Sequence, residues 1–431
     1  MSRTIFITSC HPLISRNIIS TGILTMLKKE NIKVVLIVSE SKQAYFRETY
    51  PEAIVEGITL KQGRREGLMK YLSLAALNTV TLDIKRKTEM QGSGLFISKI
   101  LSNKIAFAAI RLFERYSSAP AFTDLFKKYS PTSVFCTDIQ NEIDIALLNH
   151  AKKQGVKAIG MVRSWDNLTS KGLIRVIPDQ LVVWNEIIKK EAVQVQNIDQ
   201  SIINIIGIPH YDMYKAVDYT NRQAYFEKIG GDPQKKMALF VPIGDRYLKK
   251  NTVDRDIIDI LDKTLPENFQ ILVRLPPGDY VRELEHSPQF SRIKVLYDRA
   301  QTNPDNIKTT EIRKEDDIHL AQTLFFSDLV VSGPSTMVID SAYMDKPTIL
   351  FGFDGYQKRD YYDSIRRYYD YSNFIPIIES KGVKFATSLE EFKKDVADYH
   401  IDAKLIQNLA REQVGFLDGK STERLFSILK V

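Results

Sequence analysis

The residues best placed to do chemistry lie in "DLVVSGPSTMVIDSAYMDKPTILFGF", 328–353. A short apolar run delivers the chain into Gly333, Pro334, Ser335 and Thr336, and a helical pattern follows at about 335–345. A helix N-terminus leaves backbone N–H groups unpaired and carries about half a positive charge. Hydroxyls beside those N–H groups can hold a phosphate oxygen. Gly333 permits close backbone approach, Pro334 presets the turn, and Asp340 lies about one turn further in, where it can accept from a sugar hydroxyl. The same pattern also suits an ordinary Ser/Thr N-cap with Asp340 solvated.

Phosphate charge needs cations. Arg274 ends the run "QILVRL", while Gly244 and Arg246, with Lys249, follow "MALFVPI". These are candidate phosphate-binding residues, and a solvated loop is the plain alternative for Arg246 and Lys249. Taking a proton from an acceptor hydroxyl needs a base. His11 follows "TIFITSC", Asp138 ends "SVFCTD", and Asp166 lies in "RSWDN" after "KAIGMV". All three are candidate catalytic groups, and an Asp just after a strand is equally at home in a turn. Trp165 and Asn167 are candidate acceptor contacts, Trp165 by stacking on a sugar ring.

Such residues are useful only if strand ends bring them together. Continuous apolar runs at 4–9, 33–39, 133–138, 157–162, 180–185 and 203–208 read as strands buried on both faces of a parallel sheet. Helical patterns fall at about 17–30, 142–154 and 186–196, with 94–129 mostly helical. After a break near 207–217 the alternation restarts. Strands are expected at 237–243, 270–275, 294–298, 329–333 and 348–353, with helices at 252–263, 316–326, 388–412 and 421–430. Two successive series imply an α/β fold of two doubly wound Rossmann-like domains facing across a cleft. The expected division is 1–212 and 213–415, with 416–431 a helix that can cross back to the first domain.

The 431-residue length suits two domains, and 44% apolar with 26% charged residues is ordinary globular composition. Cys10 and Cys136 lie apart in apolar runs without metal-ligand spacing, which points to buried thiols and a reducing compartment. No run is long enough to predict a membrane span, and the N-terminus reads as a first strand rather than a signal peptide. Of the net charge of +7, residues 61–128 supply thirteen Lys/Arg against five Asp/Glu. This segment sets Lys and Arg among Leu, Ile and Phe, which suits either an anionic membrane face or a core helix with a charged outer side. No nucleic-acid module is recognisable, and no nucleic-acid partner is expected.

Residues 327–351 resemble the donor-nucleotide element of GT-B glycosyltransferases and relatives that build bacterial surface polysaccharides. "SWDNLTSKG" (164–172), "PDQLVVWNEIIKKEAV" (178–193) and "GIPHYDMY" (207–214) resemble cell-surface glycosyltransferases and CDP-glycerol glycerophosphotransferase-like proteins. "DGKSTERLFSIL" (418–429) is similar to the C-terminal helix of that superfamily. The resemblance implies a Leloir-type glycosyltransferase with a nucleotide-sugar donor and a glycan or polyprenyl-linked acceptor, as in capsule or O-antigen synthesis. It would work in the cytoplasm, peripheral to the inner membrane. No metal and no cofactor are expected, since the amides with Arg or Lys can carry the leaving-group charge. CDP-alditol-dependent polyol-phosphate transfer and nucleotide-sugar 2-epimerisation remain alternatives. Polyol-phosphate transferases have a His–Pro near Arg274, where this chain has Leu275, Pro276 and Pro277.

Overall fold

The computed structural model describes residues 3–60, 63–89, 95–117, 119–248, 250–285, 290, 292–300 and 311–430. The chain divides into two compact units. Unit 1 holds 1–213 together with 415–431, and unit 2 holds 214–414.

Unit 1 is a parallel sheet of seven strands. They are β1 (Thr4–Ser9), β2 (Lys33–Ser39), β3 (Ile54–Ile58), β4 (Ser133–Cys136), β5 (Lys157–Met161), β6 (Gln180–Val183) and β7 (Ile203–Ile205). Their order is β3-β2-β1-β4-β5-β6-β7. Thr4 to Ser9 are all buried, as are Ser133 to Cys136. Helices covering both faces explain why these strands read as unbroken apolar runs rather than alternating ones.

Unit 2 repeats the plan with six strands: β8 (Lys236–Val241), β9 (Phe269–Leu275), β10 (Val295–Arg299), β11 (Leu329–Ser332), β12 (Thr348–Phe351) and β13 (Lys384–Ala386). Their order is β10-β9-β8-β11-β12-β13, again parallel throughout. Each sheet therefore reverses its winding once, between β1 and β4 in unit 1 and between β8 and β11 in unit 2. Ligands of open α/β sheets bind beyond the strand carboxyl ends at such reversals. The fold is thus α/β with two doubly wound Rossmann-like units.

Several elements differ from the sequence expectation. β3 and β13 lie at sheet edges and were not anticipated: Glu56 and Gly57 interrupt the first, and the second has three residues. The expected helix at 17–30 is broken: Pro12–Asn17 ends as it should begin, and Ile19–Thr21 is parted from Ile23–Lys29 by Gly22, which turns left-handed at φ 89°. The stretch 388–412 splits into Leu389–Ala397 and Ala403–Val414.

The last helix, Ser421–Leu429, packs on Ile23–Lys29 of unit 1. Its start is fixed by Asp212, whose two carboxylate oxygens accept from Ser421 N–H at 3.1 Å and Thr422 N–H at 2.7 Å. The anionic side chain satisfies two orphan donors and complements the helix dipole.

Candidate functional site

The site of unit 1 begins where β1, β4 and β5 stop side by side. Thr8 Oγ1 donates to Asp144 Oδ1 at 2.6 Å, and Asp138 N–H donates to the same oxygen at 3.1 Å. Asp144 opens the helix Glu142–Lys153, so one carboxyl ties that helix to the ends of β1 and β4. Burial, with Asp138 nearby, pushes the Asp144 carboxyl up to about 7.

On this base sit two of the three expected proton acceptors. Arg163 follows β5 and its Nε donates to Asp138 Oδ2 at 2.7 Å. Its Nη1 reaches the His11 ring, 3.2 Å from Nε2. Burial and the Arg163 charge lower His11 to about 3, so the ring is neutral at ordinary pH. The structure therefore joins His11 and Asp138 through a residue that sequence reasoning passed over. The available signal was an Arg placed directly after the buried run "KAIGMV".

The third candidate, Asp166, precedes the short helix Asn167–Ser170 and accepts from Ser170 Oγ at 3.0 Å. Burial raises its carboxyl, but Lys171, a hydrogen bond with Ser164, Lys85 and Arg163 together hold it below the usual range. Trp165 is buried, and Asn167 is fully enclosed with neither amide atom hydrogen-bonded. A narrow pocket beyond the strand ends is lined by Asn17, Thr137, Met161, Arg163, Trp184 and Ile208. The aromatic residue at this pocket is thus Trp184, with Trp165 and Asn167 outside its lining.

In unit 2 the donor-side candidates fall into two groups. Gly333, Ser335, Thr336 and Asp340 stand at the β11 side of the winding reversal. Gly333 is in close contact with the core: a Cβ there would lie 2.7 Å from Ile243 Cγ1. Ser335 Oγ accepts from Met337 N–H at 3.3 Å, and Thr336 is exposed with no capping bond. The N–H groups of Ser335 and Thr336 meet no acceptor among the described residues. Asp340 is buried on the same helix, Met337–Tyr343, and accepts from the Tyr214 hydroxyl at 3.1 Å.

Gly244, Arg246 and Arg274 lie on the other side. The Ile243–Gly244 turn is gripped by Asp254, which accepts from both backbone N–H groups at 2.8 and 3.1 Å and from Asn251 at 2.6 Å. Gly244 has φ 89°, and a Cβ there would sit 2.4 Å from Asp279 Oδ2. Asp279 also accepts from Arg246 N–H at 2.9 Å, while the exposed Arg246 side chain donates to Gly278 O at 3.0 Å. Two carboxylates thus line this turn, which disfavours phosphate there relative to the β11 side. Arg274 is buried and ion-paired with Asp298 of β10, whose Oδ2 also lies 3.0 Å from His319 Nε2. Burial opposes ionisation of Asp298, yet the hydrogen bond with His319 and the charge of Arg274 lower it to about 2. Lys249 lies outside the described residues.

The profile of the CDP-Glycerol:Poly(glycerophosphate) glycerophosphotransferase family matches residues 151–430. The chain belongs to this family. None of the curated proteins matches it. Among solved structures, the UDP-GlcNAc 2-epimerase from Neisseria meningitidis bound to UDP-GlcNAc is similar at 11% identity and TM-score 0.57, covering 100% of this chain and 99% of that one. The glycosyltransferase from Rickettsia africae ESF-5 gives 12% and 0.54, covering 100% and 98%. The UDP-GlcNAc 2-epimerase from Methanocaldococcus jannaschii gives 14% and 0.56, covering 100% and 99%. At such identities the likeness concerns the fold, which is of the GT-B kind. Family and fold are those of glycosyltransferase-like transferases. Among the described residues no helix is long and apolar enough to cross a membrane.

Proposed function

We propose that this family member is a metal-independent Leloir-type transferase that moves a sugar from a nucleotide-sugar donor to a growing cell-surface glycan or lipid-linked acceptor. In this reading unit 2 binds the donor and unit 1 the acceptor. The observation that carries it is the turn after β11, where the Ser335 and Thr336 N–H groups meet no acceptor among the described residues and two hydroxyls stand beside them. A diphosphate supplies the missing acceptors, and the dipoles stabilise the charge that grows on it as the glycosidic bond breaks. In unit 1 the acceptor hydroxyl gives its proton to one of His11, Asp138 and Asp166.

Family membership favours a second reading, polyol-phosphate transfer from a CDP-alditol. Against it stand Leu275, Pro276 and Pro277 where polyol-phosphate transferases have His–Pro.

A thermal-shift screen with UDP, GDP, CDP, CMP and dTDP derivatives separates the two. A bound ligand at a hundredfold excess over Kd stabilises by about 2.7 kcal/mol. A sugar derivative of UDP, GDP or dTDP is expected to stabilise most, whereas preference for a CDP-alditol supports the second reading. Incubation of the preferred donor without acceptor then separates transfer from epimerisation. Alanine at His11, Asp138 and Asp166 tests the base. Normal turnover by all three variants removes the proton acceptor from this set.

A further inference from the structure

The strand order of unit 2 sets the carboxyl ends of β8, β11 and β12 side by side. The segments that leave them meet. After β8, Ile243 lies against the β11 turn, since a Cβ on Gly333 would come within 2.7 Å of Ile243 Cγ1. After β12, the chain reaches back to the β8 side. Arg367 Nη2 and the Tyr368 hydroxyl both donate to Tyr247 O, at 3.0 and 2.8 Å, and Arg359 Nη2 donates to Lys250 O at 2.7 Å. A segment that ties the end of β12 to the end of β8 borders the end of β11 between them. Tyr247 therefore stands beside the turn that offers N–H groups to a diphosphate.

Tyr247 is fixed yet open. Its carbonyl is held twice, and its ring meets Tyr368 edge-on, 5.6 Å between centroids at 90°. The ring is still 47% exposed. A ring already held in place loses little freedom when a ligand covers it. Charge sorts what can lie on each side of it. Arg367 is 7% exposed and donates to Ser364 O, Tyr247 O and the Tyr368 hydroxyl, while its Nε has no partner. No carboxylate among the described residues pairs with it. A buried charge in that state calls for an anion nearby. The turn after β8 does the opposite, because Asp254 and Asp279 line it. A neutral group rich in hydroxyls suits that side: carboxylates accept from hydroxyls, and an aromatic ring covers an apolar C–H face.

We propose that Tyr247 selects a cyclic sugar as the group carried by the donor. Its ring lies along the C–H face of the sugar while the diphosphate occupies the β11 turn. An open-chain alditol has no such face and leaves the tyrosine bare. The inference rests on the donor reading above and adds to it which residue meets the transferred group. It also separates sugar from polyol-phosphate donors on a feature independent of Leu275, Pro276 and Pro277.

The test is titration calorimetry of the intact chain with UDP, UDP-glucose and UDP-N-acetylglucosamine, GDP and GDP-mannose, dTDP and dTDP-glucose, and CDP and CDP-glycerol. The parent is expected to bind a sugar nucleotide more tightly than the matching diphosphate. Tyr247→Ala and Tyr247→Gln should each weaken that sugar nucleotide about three- to tenfold and leave the diphosphate unchanged. Tyr247→Phe keeps the ring and should bind like the parent. The bonds that hold the segment are accepted by the backbone carbonyl, so all three variants retain them. Alanine and glutamine variants that bind both ligands like the parent overturn the inference and leave the donor reading standing. So does an equal loss for both ligands, which marks a structural role. A parent to which no sugar adds affinity, or which binds CDP-glycerol most tightly, also overturns it. If no diphosphate binds, the donor reading falls and the inference falls with it.

Discussion

Asp144→Asn isolates the carboxyl that holds the unit 1 site together. In the folded chain this group is raised from 3.8 to about 7, first by burial and then by Asp138. The folded state therefore holds a proton that the unfolded state releases, and stability must fall as pH rises between the two values. The contribution is complete below about pH 4, declines through the interval, and is gone above about pH 7. At 1.36 kcal/mol per pH unit, the two units from about pH 5 to pH 7 give a loss near 3 kcal/mol. Asparagine keeps an oxygen for Thr8 Oγ1 and Asp138 N–H, and places its amide where Asp144 Oδ2 has no partner. The buried amide adds an offset of about 1–3 kcal/mol that does not vary with pH. The readout is clean because the only two tryptophans, Trp165 and Trp184, both belong to unit 1. Urea unfolding followed by tryptophan emission at about pH 5 and pH 8 should show the parent midpoint falling relative to the variant by about 1–2 M. Parallel movement of the two midpoints would refute the reasoning, since the variant lacks the titrating group.

Two more outcomes follow from the geometry. Gly333→Ala places a methyl group 2.7 Å from Ile243 Cγ1, so it should destabilise unit 2 by about 1–3 kcal/mol and lower its melting temperature; an unchanged melt would show that the turn has room to relax. Arg163→Gln removes the second-largest cause of the low His11 titration point while burial remains. His11, one of six histidines, should then titrate above about 3 yet below 6.5 by long-range proton–nitrogen NMR, and an unmoved value would sever the link between the two residues.

The central strands were legible because burial on both faces demands what a sequence displays openly, an unbroken apolar run. β1, β2, β8 and β9 have that signature along nearly their whole length. Edge strands need only part of it, and β3 and β13 escaped for that reason. Candidate residues at strand ends were legible from the rule that chemistry gathers there, which is how His11, Asp138 and Ser335 came into view. Their partners were not. Arg163, Asp279, Asp298 and His319 are each unremarkable in their local sequence, and they matter because register and strand order set them beside a residue far along the chain. Asp298 meets Arg274 only because β10 pairs with β9 at that position. Gly333 meets a second demand that its local sequence does not display: a Cβ there would lie 2.7 Å from Ile243 Cγ1, far away in the chain.

The seventeen residues from Gly415 to Val431 complete unit 1, although more than two hundred earlier ones build the rest of it. During synthesis the N-terminal sheet therefore emerges first yet waits longest for its final helix, and Asp212 waits for the amides of Ser421 and Thr422. Unit 2 is continuous and can close as soon as it leaves the ribosome. A chain stopped short of Ser421 therefore leaves its mark in the first half, where Asp212 loses both amides that the last helix brings to it.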